Sequence, residues 1–192
     1  MSEPPKEPSD LTGPRVEGIP DGDDRVRLIC PDCGFIHYEN PKVVVGAVVV
    51  SGDRYLLCRR AIAPRKGYWT LPAGYMELNE SPEAGAMREA WEEAFAKIEI
   101  DHLLAIYTIA RLSQVQLIYR ARLLDEKIKP GIESQAVGLF KWEEIPWSEI
   151  AFPTVHWALH HHRELGDTKN FAPRTNPVDH PEGITENHTG GL

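Results

Sequence analysis

Lys42 to Val50 reads Lys-Val-Val-Val-Gly-Ala-Val-Val-Val, a β-branched run with no polar alternation. A strand without a polar face has to be covered on both sides, so this run predicts the central strand of a sheet with layers above and below it. Two helices can supply the layers. Ser81-Pro82-Glu83 places a hydroxyl at an N-cap, proline at the first helical position and an acid in the first turn, and the pattern runs to Phe95. Pro153 opens a second helix carrying Val155, Trp157, Ala158, Leu159 and Leu165. Further strands are expected at Val26–29, Phe35–38, Tyr55–59, Ile98–100, Leu103–109, Val115–123 and Val137–142. The fold class that follows is α/β, a sandwich with a mixed sheet.

Residues 1–24 hold five prolines, three glycines and no aromatic side chain, and residues 166–192 hold Phe171 as their one aromatic. Segments this poor in buriable surface cannot offset their ordering entropy, so both are expected to be mobile. All five tryptophans lie between Trp69 and Trp157, which puts the folded body at about residues 25–165. The longest apolar run spans eight residues, against the roughly 20 needed to cross a bilayer, so no membrane association is expected. No basic leader precedes an apolar stretch at the N-terminus. Three cysteines in 192 residues argue against a disulfide framework and fit a reducing cytoplasm.

The formal net charge is -8. Duplex nucleic-acid binding draws on a basic field, so this balance argues against a nucleic-acid partner. Between Gly74 and Ala96 stand six glutamates (Glu77, Glu80, Glu83, Glu89, Glu92, Glu93) and one arginine, Arg88. Helical spacing puts Ala86, Met87, Ala90, Trp91 and Ala94 on one side, expected to face the sheet, and Glu89, Glu92 and Glu93 together on the other. Like charges at those spacings oppose one another. A solvated acidic face is the plain reading of such a triplet. The preceding Thr70-Leu71-Pro72-Ala73-Gly74-Tyr75 favours another, because proline and glycine there can turn a carbonyl inward beside the acids. Clustered carboxylates and free carbonyls suit a hard divalent cation, and a diphosphate is its natural co-ligand.

The stretch from Gly74 through Glu80 to Arg88-Glu89-Ala90-Trp91-Glu92-Glu93-Ala94-Phe95-Ala96 resembles the Nudix box, G-x5-E-x7-R-E-U-x-E-E-x-G-U. Phe95 stands where that pattern has glycine, so the helix is expected to end differently there. Cys30-Pro31-Asp32-Cys33-Gly34, Tyr38-Glu39-Asn40-Pro41-Lys42, Leu57-Cys58-Arg59-Arg60-Ala61 and Gly67-Tyr68-Trp69 resemble the Nudix subgroup with an N-terminal zinc ribbon, which includes bacterial enzymes and plant FAD and ADP-ribose pyrophosphatases. The resemblance implies the Nudix α/β/α sandwich over residues 42–165, preceded by a short degenerate ribbon-like segment at 25–41. It also implies a homodimer and a Mg²⁺-dependent or Mn²⁺-dependent hydrolase. Such an enzyme would split the diphosphate of a small-molecule nucleotide of the FAD or ADP-ribose class and release a mononucleotide.

By the same resemblance, Glu89, Glu92 and Glu93 bind the metal with a carbonyl of Ala73 or Gly74, while Glu80 and Arg88 brace the box. Glu133, in Pro130-Gly131-Ile132-Glu133-Ser134, is a candidate general base or extra ligand, and a box glutamate is the alternative; relatives often carry a second acid where this chain has Ala136. Arg59 or Arg60 is a candidate for phosphate contact. Trp69 and Tyr75 could stack on a base, though core packing is the plainer reading. Cys30 and Cys33 are what remains of a ribbon's two knuckles. With no cysteine or histidine upstream, a metal-free relic is expected over a zinc site, even counting His37. Cys58 reads as core, and His160-His161-His162 as an exposed trio pointing in different directions. Two other function classes fit less: a Nudix-like nucleotide-binding module without turnover, and a zinc-ribbon nucleic-acid adaptor, which would need a second knuckle and a basic face.

Overall fold

The computed structural model describes residues 12–178, which divide into two units at Asn40 and Pro41. The first is a small antiparallel sheet of β1 (Val16–Gly18), β2 (Arg27–Ile29) and β3 (Ile36–His37) in the order β1-β2-β3. β1 falls inside the stretch expected to be mobile. Its pairing of Val16 with Ile29 and Gly18 with Arg27 was invisible to a composition argument, because three exposed or half-exposed residues bury little. Expectations about residues 1–11 and 179–192 lie outside the described residues.

The second unit is built on β4 (Lys42–Ser51), β5 (Arg54–Arg60), β6 (Trp69–Thr70), β7 (Ala73–Tyr75), β8 (Ile98–Ile109), β9 (Gln114–Leu123) and β10 (Ser134–Lys141). Its sheet runs β10-β5-β4-β9-β8, with β6 on β5 and β7 on β4. β4 and β9 are parallel, from Lys42 opposite Gln114 to Val50 opposite Arg122, and the other pairs are antiparallel, so the sheet is mixed. The helices α1 (Pro82–Ala94) and α2 (Pro153–Leu165) lie on opposite faces. Val45, Ala47 and Val49 pack toward α1 with Ala86, Ala90 and Ala94, while Val48 packs toward α2 with Val155, Ala158 and Leu159. The unalternating run of β4 is thus apolar because both of its faces are interior.

Three sequence-derived boundaries change. The two strands expected at 98–100 and 103–109 are one strand, β8, whose register shifts between Ile100 and His102 and again between Leu103 and Ala105. The polar pair Asp101-His102 sits in that irregularity, where Asp101 accepts from Arg120 at 2.6 Å. β6 and β7 are too short for periodicity to reveal. Residues 166–178 are not featureless: Phe171 packs against the α2-side core and Arg174 bridges Ala105.

Candidate active site

α1 starts on Ser81, whose hydroxyl accepts from the Ala84 N–H at 3.2 Å, with Pro82 in the first turn. Its rotation differs from the one periodicity suggested. Gly85, Ala86, Glu89, Ala90, Glu93 and Ala94 form the buried side, whereas Met87 and Trp91 are exposed. Small residues decide this, because at Gly85 even a Cβ would come within 2.8 Å of Val45. Glu89 and Glu93 therefore turn toward the sheet, 8% and 6% exposed, and only Glu92 of the three remains in solvent.

β7 lies alongside, pairing Gly74 with Val45 and Ala73 with Gly46. The Glu89 carboxylate rests directly against this strand: a Cβ on Gly74 would meet its oxygens at 2.4 Å. Gly46 has the matching duty beneath, since a Cβ there would meet Ala73 Cβ at 2.4 Å and the Pro72 carbonyl at 2.8 Å. The glycine interrupting the valine run is thus what lets the 72–74 segment approach; the interruption itself was the available signal.

Arg88 ties the acids together. Its Nε and Nη2 donate to Glu80 at 3.0 and 2.8 Å, Nη1 to Glu89 at 2.7 Å and to Glu92 at 3.0 Å, and Nη2 to the Tyr75 carbonyl at 3.0 Å. Glu80 also accepts from the Glu77 N–H at 2.7 Å, and the Arg88 hydrogen bond foremost draws its carboxyl down to about 2. Glu93 behaves oppositely. Burial first, then the like charges of Glu89 and Glu133 against the opposing pull of Arg60, push it up to about 8. Its Oε2 is buried with no hydrogen-bond partner among the described residues. Cys58, a buried core thiol as expected, stands beside it and beside Ser134, and burial pushes that thiol up.

Glu133 is delivered to the same neighbourhood by the turn before β10. Lys129 N–H donates to the Ala94 carbonyl at 3.0 Å and Gly131 N–H to the Glu93 carbonyl at 2.9 Å, so this turn closes the end of α1. Gly131 is required by space: a Cβ would lie 1.7 Å from the Glu92 carbonyl oxygen. Arg60 follows Cys58 by two positions, and its charge acts on Glu93 while its Nε donates to the Pro64 carbonyl at 2.8 Å and its guanidinium lies over the Phe152 ring at 5.2 Å. Arg59 is turned away, its Nε donating to the Gly67 carbonyl at 2.7 Å. Trp69 joins the core, while Tyr75 is exposed, its hydroxyl accepting from Gln114 at 3.2 Å. His161 and His162 are half-buried, contrary to expectation, and only His160 is exposed; Tyr107 meets His161 at 2.7 Å. A cavity of about 640 Å³ lies elsewhere, lined by Tyr55, Asp101, Arg120, His162 and Arg163 among others, and contains none of the box glutamates.

Phe95 corrects the expectation about the helix end. It adopts the left-handed conformation itself, φ 49° and ψ 29°, with its N–H donating to the Trp91 carbonyl and the Ala96 N–H to the Ala90 carbonyl, as at a glycine-ended helix. Trp91 packs edge-on against the ring at 5.2 Å and the Lys129 ammonium stands over it at 4.1 Å.

The family model for the NUDIX domain matches residues 40–165. The chain belongs to the Nudix family. A second model, described as Nudix N-terminal, matches residues 12–39. The Nudix chain is 48% identical to a crystallised NUDIX hydrolase from Nitrosomonas europaea, covering 83% of this chain and 91% of that one with a TM-score of 0.78. It is 36% identical to a MutT-like protein of Streptomyces ambofaciens over 53% of this chain and 64% of that protein's length. To an ADP-ribose pyrophosphatase of Methanocaldococcus jannaschii it is 25% identical, over 60% and 69% of the two chains.

Proposed function

We propose that this Nudix protein hydrolyses the diphosphate bond of a nucleoside diphosphate linked to another moiety, of the ADP-ribose or FAD class, and releases a mononucleotide. The observation that carries the reading is the pair of buried carboxylates, Glu89 resting against Gly74 and Glu93 one turn on with one oxygen unpartnered among the described residues. Burying acids so close together opposes folding unless a cation or proton compensates. The name of the methanogen relative favours ADP-ribose within that class.

A divalent cation fits this donor set, although among the described residues no three Asp, Glu, His or Cys side chains close around a common point. Glu89, Glu92 and Glu93 with the carbonyl of Ala73 or Gly74 would hold Mg²⁺ or Mn²⁺, which supplies charge neutralisation on the diphosphate oxygens. Arg88 holds Glu89 and Glu92 in place and supplies a counter-charge. Glu133, on the turn that closes the end of α1 and near enough for its charge to act on Glu89 and Glu93, would take the proton of a water attacking phosphorus; Glu93 is the alternative acceptor. Arg60, whose charge acts on Glu93, would meet phosphate oxygens. Phe95 leaves the helix end intact, so its departure from glycine does not favour a binding module without turnover. A homodimer belongs to the same reading and is measured by sedimentation.

The test is Glu93→Gln, assayed with Mg²⁺ on ADP-ribose and FAD with products resolved by mass. We expect AMP from the wild-type protein and a loss of at least about a thousandfold in the variant at unchanged circular dichroism. No mononucleotide from either compound with the wild-type protein, or undiminished turnover in the variant, overturns the reading.

A further inference from the structure

The first unit matches the Nudix N-terminal family model, yet its surroundings do not fit the zinc that a ribbon implies. A structural zinc needs four ligands. Of the chain's three cysteines, Cys30 is buried and Cys33 exposed in this unit, while Cys58 is interior to β5. His37 lines a different cavity, with Glu17 and Glu39. The backbone of the knuckle is closed by Cys30 N–H to the Phe35 carbonyl and Gly34 N–H to the Cys30 carbonyl, both at 2.8 Å.

A second pair of ligands would have to come from the segment facing the knuckle, and that segment presents a cation. Arg15 Nη1 donates to Asp32 Oδ2 at 2.7 Å and Nη2 to Oδ1 at 3.1 Å, a two-pronged fork onto the residue between the two cysteines. Nη1 also donates to the Gly13 carbonyl at 3.2 Å, and the Cys30 thiol lies 3.7 Å from the same Asp32 oxygen. Arg15 N–H pairs with the Ile29 carbonyl at 3.1 Å, anchoring the arginine at the end of the β1–β2 ladder.

We propose that the Arg15 guanidinium takes the place of the metal, joining the 13–15 segment to the 30–34 knuckle, so that this ribbon holds its shape without zinc. A metal cation bound at the knuckle would place like charge beside that guanidinium. The experiment uses the full-length protein: zinc content by plasma mass spectrometry, then amide hydrogen exchange over β1, β2 and β3 with and without phenanthroline. Zinc well below one per chain is expected, with no effect of the chelator. Arg15→Ala should speed exchange in these strands about three- to tenfold; the fork is 38% and 57% exposed, which keeps the effect modest. Exchange in β4 and β9 serves as the control for global unfolding. The double exchange Arg15→Asp with Asp32→Arg should restore slow exchange. Stoichiometric zinc, chelator-induced loosening, or an Arg15→Ala variant with unchanged exchange overturns the proposal.

Discussion

Glu93 shows how one side chain holds a conflict that function can use. Its folded-state pKa, about 8, lies above the ordinary carboxylate value of 4.5, so the folded protein retains a proton the unfolded chain has lost. Stability from this group is complete below about pH 4.5 and is gone once the pH passes about 8, so the slope between them is negative. The metal-free protein should therefore melt at a lower temperature at pH 8 than at pH 5.5, and Glu93→Gln should flatten that dependence in calorimetric scans. Added Mg²⁺ should raise the melting temperature more at pH 8 than at pH 5.5, because a cation binds the ionised acid; equal shifts would count against ligation by this carboxylate. Phe95 is a second residue out of its ordinary range. A left-handed phenylalanine bears conformational strain and recovers contacts with Trp91 and Lys129. Phe95→Ala keeps the strain and loses the contacts, so Phe95→Gly should be the more stable variant by roughly 1 kcal/mol in urea unfolding.

At the level of elements, the site depends on close approaches that only glycine permits. α1 meets β4 through Gly85, β7 meets β4 through Gly46, and the turn before β10 meets the end of α1 through Gly131. The last of these holds the turn that carries Glu133 against the end of α1. Gly131→Ala forces backbone to move, so we expect a loss of about 1–3 kcal/mol in stability and a fall in kcat larger than any change in KM. Ile132→Ala, at a neighbouring side chain 99% exposed, should change neither. Equal behaviour of the two variants would show that the turn does not position Glu133. The helix was legible in the sequence because capping and the box spacing are local. Its rotation was not, because periodicity cannot tell a buried glutamate from an exposed one when alanines flank both.

For the molecule as a whole, Arg120 links elements far apart in the chain. From β9, only 7% exposed, it donates to Asp101 of β8 at 2.6 Å and to the carbonyls of Gly166 and Thr168 at 3.1 and 2.8 Å, tying the end of α2 to the sheet. Arg120→Ala should cost about 2–4 kcal/mol, measured by denaturant unfolding, and should free residues 166–178 for proteolysis. The sequence by itself determined the α/β class, the two-sided β4, both helices and the box acids, since each is written in a local pattern of burial, capping or spacing. Only the tertiary structure decided which acids turn inward and that the turn carrying Glu133 packs against the end of α1. It also decided that an arginine meets the cysteine knuckle. Those outcomes rest on contacts between residues distant in the chain, where close packing and unshared charge select one arrangement among several the local pattern allows.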